Sequence, residues 1–157
     1  MKRILWNIGV LASGFMIGVL FIIYRCGYIV ESSKKRADKF QTYFNFMDQW
    51  LEYKEQDAHF AKYFHEKNIS SVAIYGMGKI GKHLKYELES EGVDLRYVID
   101  ESDAALYNNL PHYNLKDRLP LVDAVIVTPI NEYEDIKKKI LENNSKLKVI
   151  LISEIID

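Results

Sequence analysis

The distribution of apolar positions changes character twice along the chain. From Ile4 to Tyr24 the residues ILWNIGVLASGFMIGVLFIIY carry no charge and are apolar almost throughout. As a helix rising 1.5 Å per residue, this run spans about 30 Å, the thickness of a hydrocarbon core. A helical period then takes over between Lys34 and Asn68. Phe40, Phe44, Met47 and Leu51 recur at four- and three-residue steps, and Tyr43 and Trp50 widen the stripe. Phe60, Ala61 and Phe64 resume it after a break at Gln56-Asp57, and Asn68 suits the left-handed residue that ends a helix. Such an aromatic stripe predicts packing on the domain that follows, or on its copy in a second chain.

Beyond Ser71, short apolar runs alternate with helical patterns. Val72–Tyr75 predicts a buried parallel strand, and Ile80, Leu84 and Leu88 mark one face of a helix stopped by Gly92. Leu95–Ile99 is the next strand, closed by Asp100. Glu101–Leu119 reads as irregular, with a short extended piece at His112-Tyr113. Ala124–Val127 is a further strand ending at Thr128-Pro129. Asn131 and Glu134 form a capping-box-like start to a helix carrying Tyr133, Ile136 and Ile140, which Asn143-Asn144 stops. Val149–Ile152 is the last strand. Alternating β and α units predict a parallel sheet with right-handed crossovers. No helical pattern follows Ile152, so part of that sheet is expected to be uncovered unless the aromatic helix Phe40–Leu51, or a neighbouring chain, covers it.

The first βα junction carries candidate chemistry. Ser70–Gly92 reads SSVAIYGMGKIGKHLKYELESEG. Gly76, Gly78 and Gly81 form G-x-G-x-x-G directly after a strand and at the opening of a helix, the setting of a Rossmann nucleotide turn. The first glycine permits the tight bend, the second lets phosphate approach the backbone, and the third lets helix and strand pack closely. Lys79 and Ile80 lie inside the turn. Asp100, at the end of the next strand, can accept ribose hydroxyls, which for a dinucleotide ligand predicts preference for NAD over NADP. The rival reading, a phosphate loop, needs Ser or Thr after Gly81-Lys82 to hold magnesium, and the chain has His83 there. The predicted class is therefore α/β, a small Rossmann-like parallel sheet with flanking helices, preceded by a single transmembrane helix and an amphipathic linker helix. The predicted boundaries are 1–3 for a short tail, 4–24 for the transmembrane helix and 25–33 for a juxtamembrane segment. Residues 34–69 form the helical linker and 70–157 the Rossmann-like nucleotide-binding domain.

Met1-Lys2-Arg3 resembles the start of a signal peptide, but the apolar run is too long and no small-x-small cleavage site follows it. Arg25 also makes Tyr24-Arg25-Cys26-Gly27 a poor lipoprotein signal. An uncleaved, single-pass anchor in the cell membrane is expected. Arg25, Lys34, Lys35, Arg36 and Lys39 outnumber Lys2 and Arg3, which places the soluble part in the cytoplasm. Gly14 and Gly18 form G-x-x-x-G, with Gly9 and Ser13 extending a small-residue surface that could seat a partner helix.

Charge and residue chemistry exclude several classes. Lys plus Arg number 21 against 22 Asp plus Glu, so nucleic acid finds no basic footprint. Cys26 is the single cysteine, and His59, His65, His83 and His112 make no metal-ligand spacing; no metal is expected. Tyr133 and Lys137 match the Tyr-x-x-x-Lys of short-chain dehydrogenases, but Tyr63 and Lys67 match equally, and Tyr133 comes too early in the chain. Tyr133 is read as a packing residue, His83 as facing the sheet's upper edge or solvent, and His112 as a candidate for ligand contact only. No catalytic set stands out.

SVAIYGMGKIGKHL, then YVID and VDAVIVTP, resembles the nucleotide-binding Rossmann domains of bacterial cell-surface polysaccharide pathways. These include the amino-terminal domain of sialic-acid O-acetyltransferase-like sugar acyltransferases, which binds a UDP-sugar. The resemblance covers Ser70–Asp157, with no acyltransferase half after it. It implies nucleotide contact at Gly76, Gly78, Lys79 and Gly81, with Asp100 and Thr128 near the same cleft; CoA- and NAD-binding domains share the pattern. The expectation is a membrane-anchored module that binds NAD or a nucleotide sugar, accessory to polysaccharide biosynthesis, with no catalytic residue assigned and enzymatic activity left open. It would sit in the lipid bilayer as a homodimer or beside a glycosyltransferase-type partner. The alternatives are a membrane adaptor whose Rossmann turn is empty, and a minimal NAD-dependent oxidoreductase or sugar epimerase.

Overall fold

A computed structural model describes residues 2–101 and 110–156, with only the backbone of residues 2–13. The irregular stretch expected over Glu101–Leu119 therefore lies partly outside the described residues, as do the side-chain surroundings of Gly9 and Ser13. The chain divides into two compact units, residues 1–41 and 42–157.

Helix α1 runs unbroken over Lys2–Glu55 and so belongs to both units. In the first unit it is the one helix among the described residues long and apolar enough to cross a membrane, with a mean hydropathy of 1.6 in its most apolar window. Phe15, Leu20, Phe21 and Ile23 are all exposed along it, whereas the core helix of a folded domain would bury such side chains.

In the second unit α1 ends where Asp57 turns to φ +55°, at the break the sequence suggests. Helix α2 (Phe60–Glu66) follows, and Asn68 at φ +54° ends it, with the Ile69 amide donating back to the Phe64 carbonyl at 2.8 Å. Five strands then form one parallel sheet: β1 (Ser71–Tyr75), β2 (Asp94–Ile99), β3 (His112–Tyr113), β4 (Ala124–Val127) and β5 (Val149–Leu151). Their order is β3-β2-β1-β4-β5, so the chain reverses its direction of travel between β1 and β4. Helices α3 (Lys79–Ser90), α4 (Tyr133–Asn143) and the single turn α5 (Ser153–Ile156) complete the unit.

Both faces of the sheet are buried, which is why its strands read as apolar runs without polar alternation. Val72, Ile74, Val98, Ala124, Ile126 and Ile150 face Leu84 and Leu88 of α3, Phe60 and Phe64 of α2, and Phe46 and Trp50 of α1. Ala73, Tyr97, Ile99, Val125 and Val127 face Tyr133, Ile136 and Ile140 of α4.

Two expectations are corrected, and one pair of alternatives is decided. The aromatic face of α1 that packs is Phe46 and Trp50, flanked by Met47 and Tyr53; Phe40, Phe44 and Leu51 are exposed. Aromatic and aliphatic side chains stand nearly all round this part of the helix, so their spacing cannot select a face. Phe60 does, because Trp50 and Tyr53 each meet its ring at 5.5 Å. Cover near Ile152 comes from the aromatic helix, one of the two expected alternatives, through Phe46 and Trp50, and in addition from α5, which the sequence did not suggest, through Ile155 and Ile156. Finally, Asn131 and Glu134 form no capping box. A 3-10 turn at Ile130–Glu132 intervenes after Pro129, and Glu132 precedes α4 without a side-chain cap.

A polar clasp fixes α1 against α3. The Glu91 carboxylate accepts the Ala61 amide at 2.8 Å and lies 3.6 Å from the Lys54 ammonium, which pairs with Glu87 at 2.7 Å. That bond to Glu87 raises the Lys54 pKa.

On the other face, the Tyr97 hydroxyl donates to the Pro120 carbonyl at 2.7 Å. Burial, with the Tyr113 phenol beside it, pushes the Tyr97 pKa up to about 12. The folded state favours the neutral phenol, so its contribution is intact below the ordinary value of 10.0 and is lost as pH rises through about 12. Stability should fall across that window, and Tyr97→Phe should flatten the fall while costing about 1 kcal/mol at neutral pH. Circular dichroism against pH checks this. An equally steep loss in the variant would contradict it.

Candidate functional site

The turn after β1 is shaped by what its glycines must avoid. Gly76 sits at φ +89°, and a Cβ there would lie 2.8 Å from Pro129 Cδ and 2.9 Å from Thr128 Oγ1. Its amide donates to the Ile99 carbonyl at 2.9 Å, and its carbonyl accepts the Thr128 hydroxyl at 2.7 Å. A Cβ on Gly81 would stand 2.1 Å from the Gly76 carbonyl oxygen, so the first turn of α3 rests directly on the backbone of the loop. Gly78 is different. It precedes α3 in extended conformation at φ −63°, and a Cβ there would meet nothing within 4 Å. The first and third glycines are thus held by packing, and the second faces open space. The amides of Lys79, Ile80 and Gly81 belong to the first turn of α3, where N–H groups have no helical carbonyl to bond and the helix dipole is positive.

That open space is a cavity of about 440 Å³. It lies outside the carboxyl ends of β1 and β4, where the strand order reverses and open parallel sheets take their ligands. Gly76 and Gly78 line it from the loop, Lys79, Ile80 and His83 from α3, and Thr128 and Pro129 from the end of β4. Tyr43 and Met47 of α1 complete the lining. Lys79 and His83 are its basic lining residues, and among the described residues no Asp or Glu lines it. An anion with an apolar or aromatic appendage suits such walls.

The structure brings together five of the seven residues singled out from the sequence: Gly76, Gly78, Lys79, Ile80 and Thr128 all line this cavity. Gly81 supports it from below. Asp100 closes β2 as expected but stands outside the lining, and its carboxylate accepts the Met77 amide. It therefore braces the glycine turn from the β2 side. Its backbone is held as well, its carbonyl accepting from His112 Nε2 at 2.8 Å, which gives His112 a structural partner. The Thr128 hydroxyl likewise braces Gly76.

Four lining residues escape the sequence reading: Tyr43, Met47, His83 and Pro129. His83 is exposed beside the sheet edge, as expected; it follows Lys79 by one helical turn, and that spacing could have put it in the site. Tyr43 and Met47 are also one turn apart, but nothing local says that α1 returns to the loop. Tyr133 lies in the core under α4, its hydroxyl donating to the Val149 carbonyl at 3.3 Å with the Lys137 ammonium 5.2 Å from its ring centre. This pair does not reach the cavity. Among the described residues, no three His, Cys, Asp or Glu side chains gather as metal ligands.

Compared with family models, curated proteins and solved structures, the chain finds no match.

Proposed function

We propose that this chain is a membrane-anchored nucleotide-binding module, with a Rossmann-like domain that takes the diphosphate of NAD or of a nucleotide sugar over Gly78. The observation that carries the reading is the contrast among the three glycines: packing accounts for Gly76 and Gly81, whereas Gly78 caps α3 facing open space on the cavity wall, where a ligand has room to reach the backbone. Lys79 on the cavity wall supplies complementary charge, and His83 lies one helical turn further along the same wall. The setting, polysaccharide assembly at the cell membrane, is the one the sequence resemblance implies. No catalytic role is proposed.

The anchor is the apolar part of α1, and the basic residues that follow Tyr24 put the nucleotide domain in the cytoplasm. Protease added to intact cells should leave a carboxy-terminal tag uncut, and cleavage from outside would reverse the topology. The ligand itself is tested by thermal melts of the full chain in detergent with NAD, NADP, UDP-N-acetylglucosamine, CoA and ATP. NAD or the UDP-sugar should raise the melting temperature, and a shift with none of the five would refute the reading. The exposed Phe44 and Leu51 favour a second reading, an adaptor that docks other proteins through α1. In that case no nucleotide would shift the melt.

A further inference from the structure

Resting on that nucleotide-binding reading, we propose that Tyr43 and Met47 of α1 contact the bound nucleotide, so that the amino-terminal helix forms one wall of the site. The clasp and the cavity lie at opposite ends of α3. At the carboxyl end, Lys54 pairs with Glu87 at 2.7 Å and lies 3.6 Å from Glu91. At the amino end, Tyr43 and Met47 line the 440 Å³ cavity together with Lys79, Ile80 and His83. The two helices are thus pinned near Glu87 and leave a gap that opens onto Gly78.

The chemistry of the gap divides in two. Phosphate oxygens belong beside Gly78 and Lys79, at the first-turn amides of α3, with His83 on the same wall. The part of the nucleotide that leaves the phosphates runs between Tyr43, Met47 and Ile80, a slot suited to the flat face of a ring. A ligand gripped from both helices holds the last turns of α1 against α3.

Met47 offers a test that separates ligand contact from packing. Glutamate and lysine are equally foreign to an apolar wall, but they act oppositely on a neighbouring diphosphate. In calorimetric titrations of the full chain in detergent with NAD and with UDP-N-acetylglucosamine, Met47→Glu should weaken binding about tenfold or more. Met47→Lys should stay within about threefold of the wild type or bind more tightly. Tyr43→Ala should weaken binding about fivefold or more, and Phe44→Ala, on the exposed face, should change nothing. If the wild type binds a probe and both Met47 variants lose affinity alike, or neither loses any, the α1 wall is refuted and the nucleotide reading stands. Should both Met47 variants fail to fold, unchanged binding by Tyr43→Ala refutes the wall. A wild type that binds neither probe overturns both proposals.

Discussion

Replacing Gly81 with alanine is expected to destabilise the folded domain by about 3 kcal/mol, near the upper end of the cost of overpacking. A new Cβ would lie 2.1 Å from the Gly76 carbonyl oxygen and 3.1 Å from its carbonyl carbon, and both obstacles are backbone. No rotamer change relieves that clash. Either α3 retreats from the loop, or Gly76 gives up its position between the Ile99 carbonyl and the Thr128 hydroxyl. Retreat would loosen Leu84 and Leu88, both fully buried against β1 and β2. The melting temperature should fall by roughly 10 °C. Turns of this type often accept alanine at the third glycine, so a small effect would show that α3 sits farther from this loop than described. The expectation is specific to this geometry.

Gly78→Leu should do the reverse. The position is extended, and its Cβ would meet nothing within 4 Å, so a side chain has room and needs no forbidden backbone. The loss of a tolerated helix-capping glycine costs less than about 1 kcal/mol. Yet the side chain fills the space through which phosphate reaches the first-turn amides, and affinity for a diphosphate should fall by about two orders of magnitude. Gly81→Ala and Gly78→Leu therefore separate folding from binding within one turn. A fall in stability with Gly78→Leu comparable to that of Gly81→Ala would mean that Gly78 too is a packing glycine, and the strongest argument for a ligand would vanish.

The sheet was legible because β1, β4 and β5 are short apolar runs, β1 ending at Gly76 and β4 at Thr128-Pro129, and because α3 and α4 between them show a clear period. Even the two-residue β3 at His112-Tyr113 was marked by its position. Gly76, Gly78 and Gly81 were legible for the same reason, their spacing falling at a strand–helix junction. What the sequence hid was tertiary. The face of α1 that packs depends on Phe60, which lies beyond a break in the helix, and α5 is a single turn too short to show a period. Asp100 stood where a ribose acceptor belongs, but its acceptance of the Met77 amide depends on how the loop folds over β2. The cavity wall at Tyr43 and Met47 is the largest gap, because it depends on a helix returning to a loop about thirty residues further along.

The central claim is that Gly78 opens onto a nucleotide site, and calorimetric titration of the wild-type chain beside Gly78→Leu tests it most directly. Full-length protein in detergent would be titrated with NAD and with UDP-N-acetylglucosamine. Saturable binding of one of them by the wild type is expected, with no measurable heat from Gly78→Leu at the same concentrations and a melting temperature for the unliganded variant within about 4 °C of the wild type. Equal binding by both proteins, or no binding of either nucleotide by the wild type, would contradict the account.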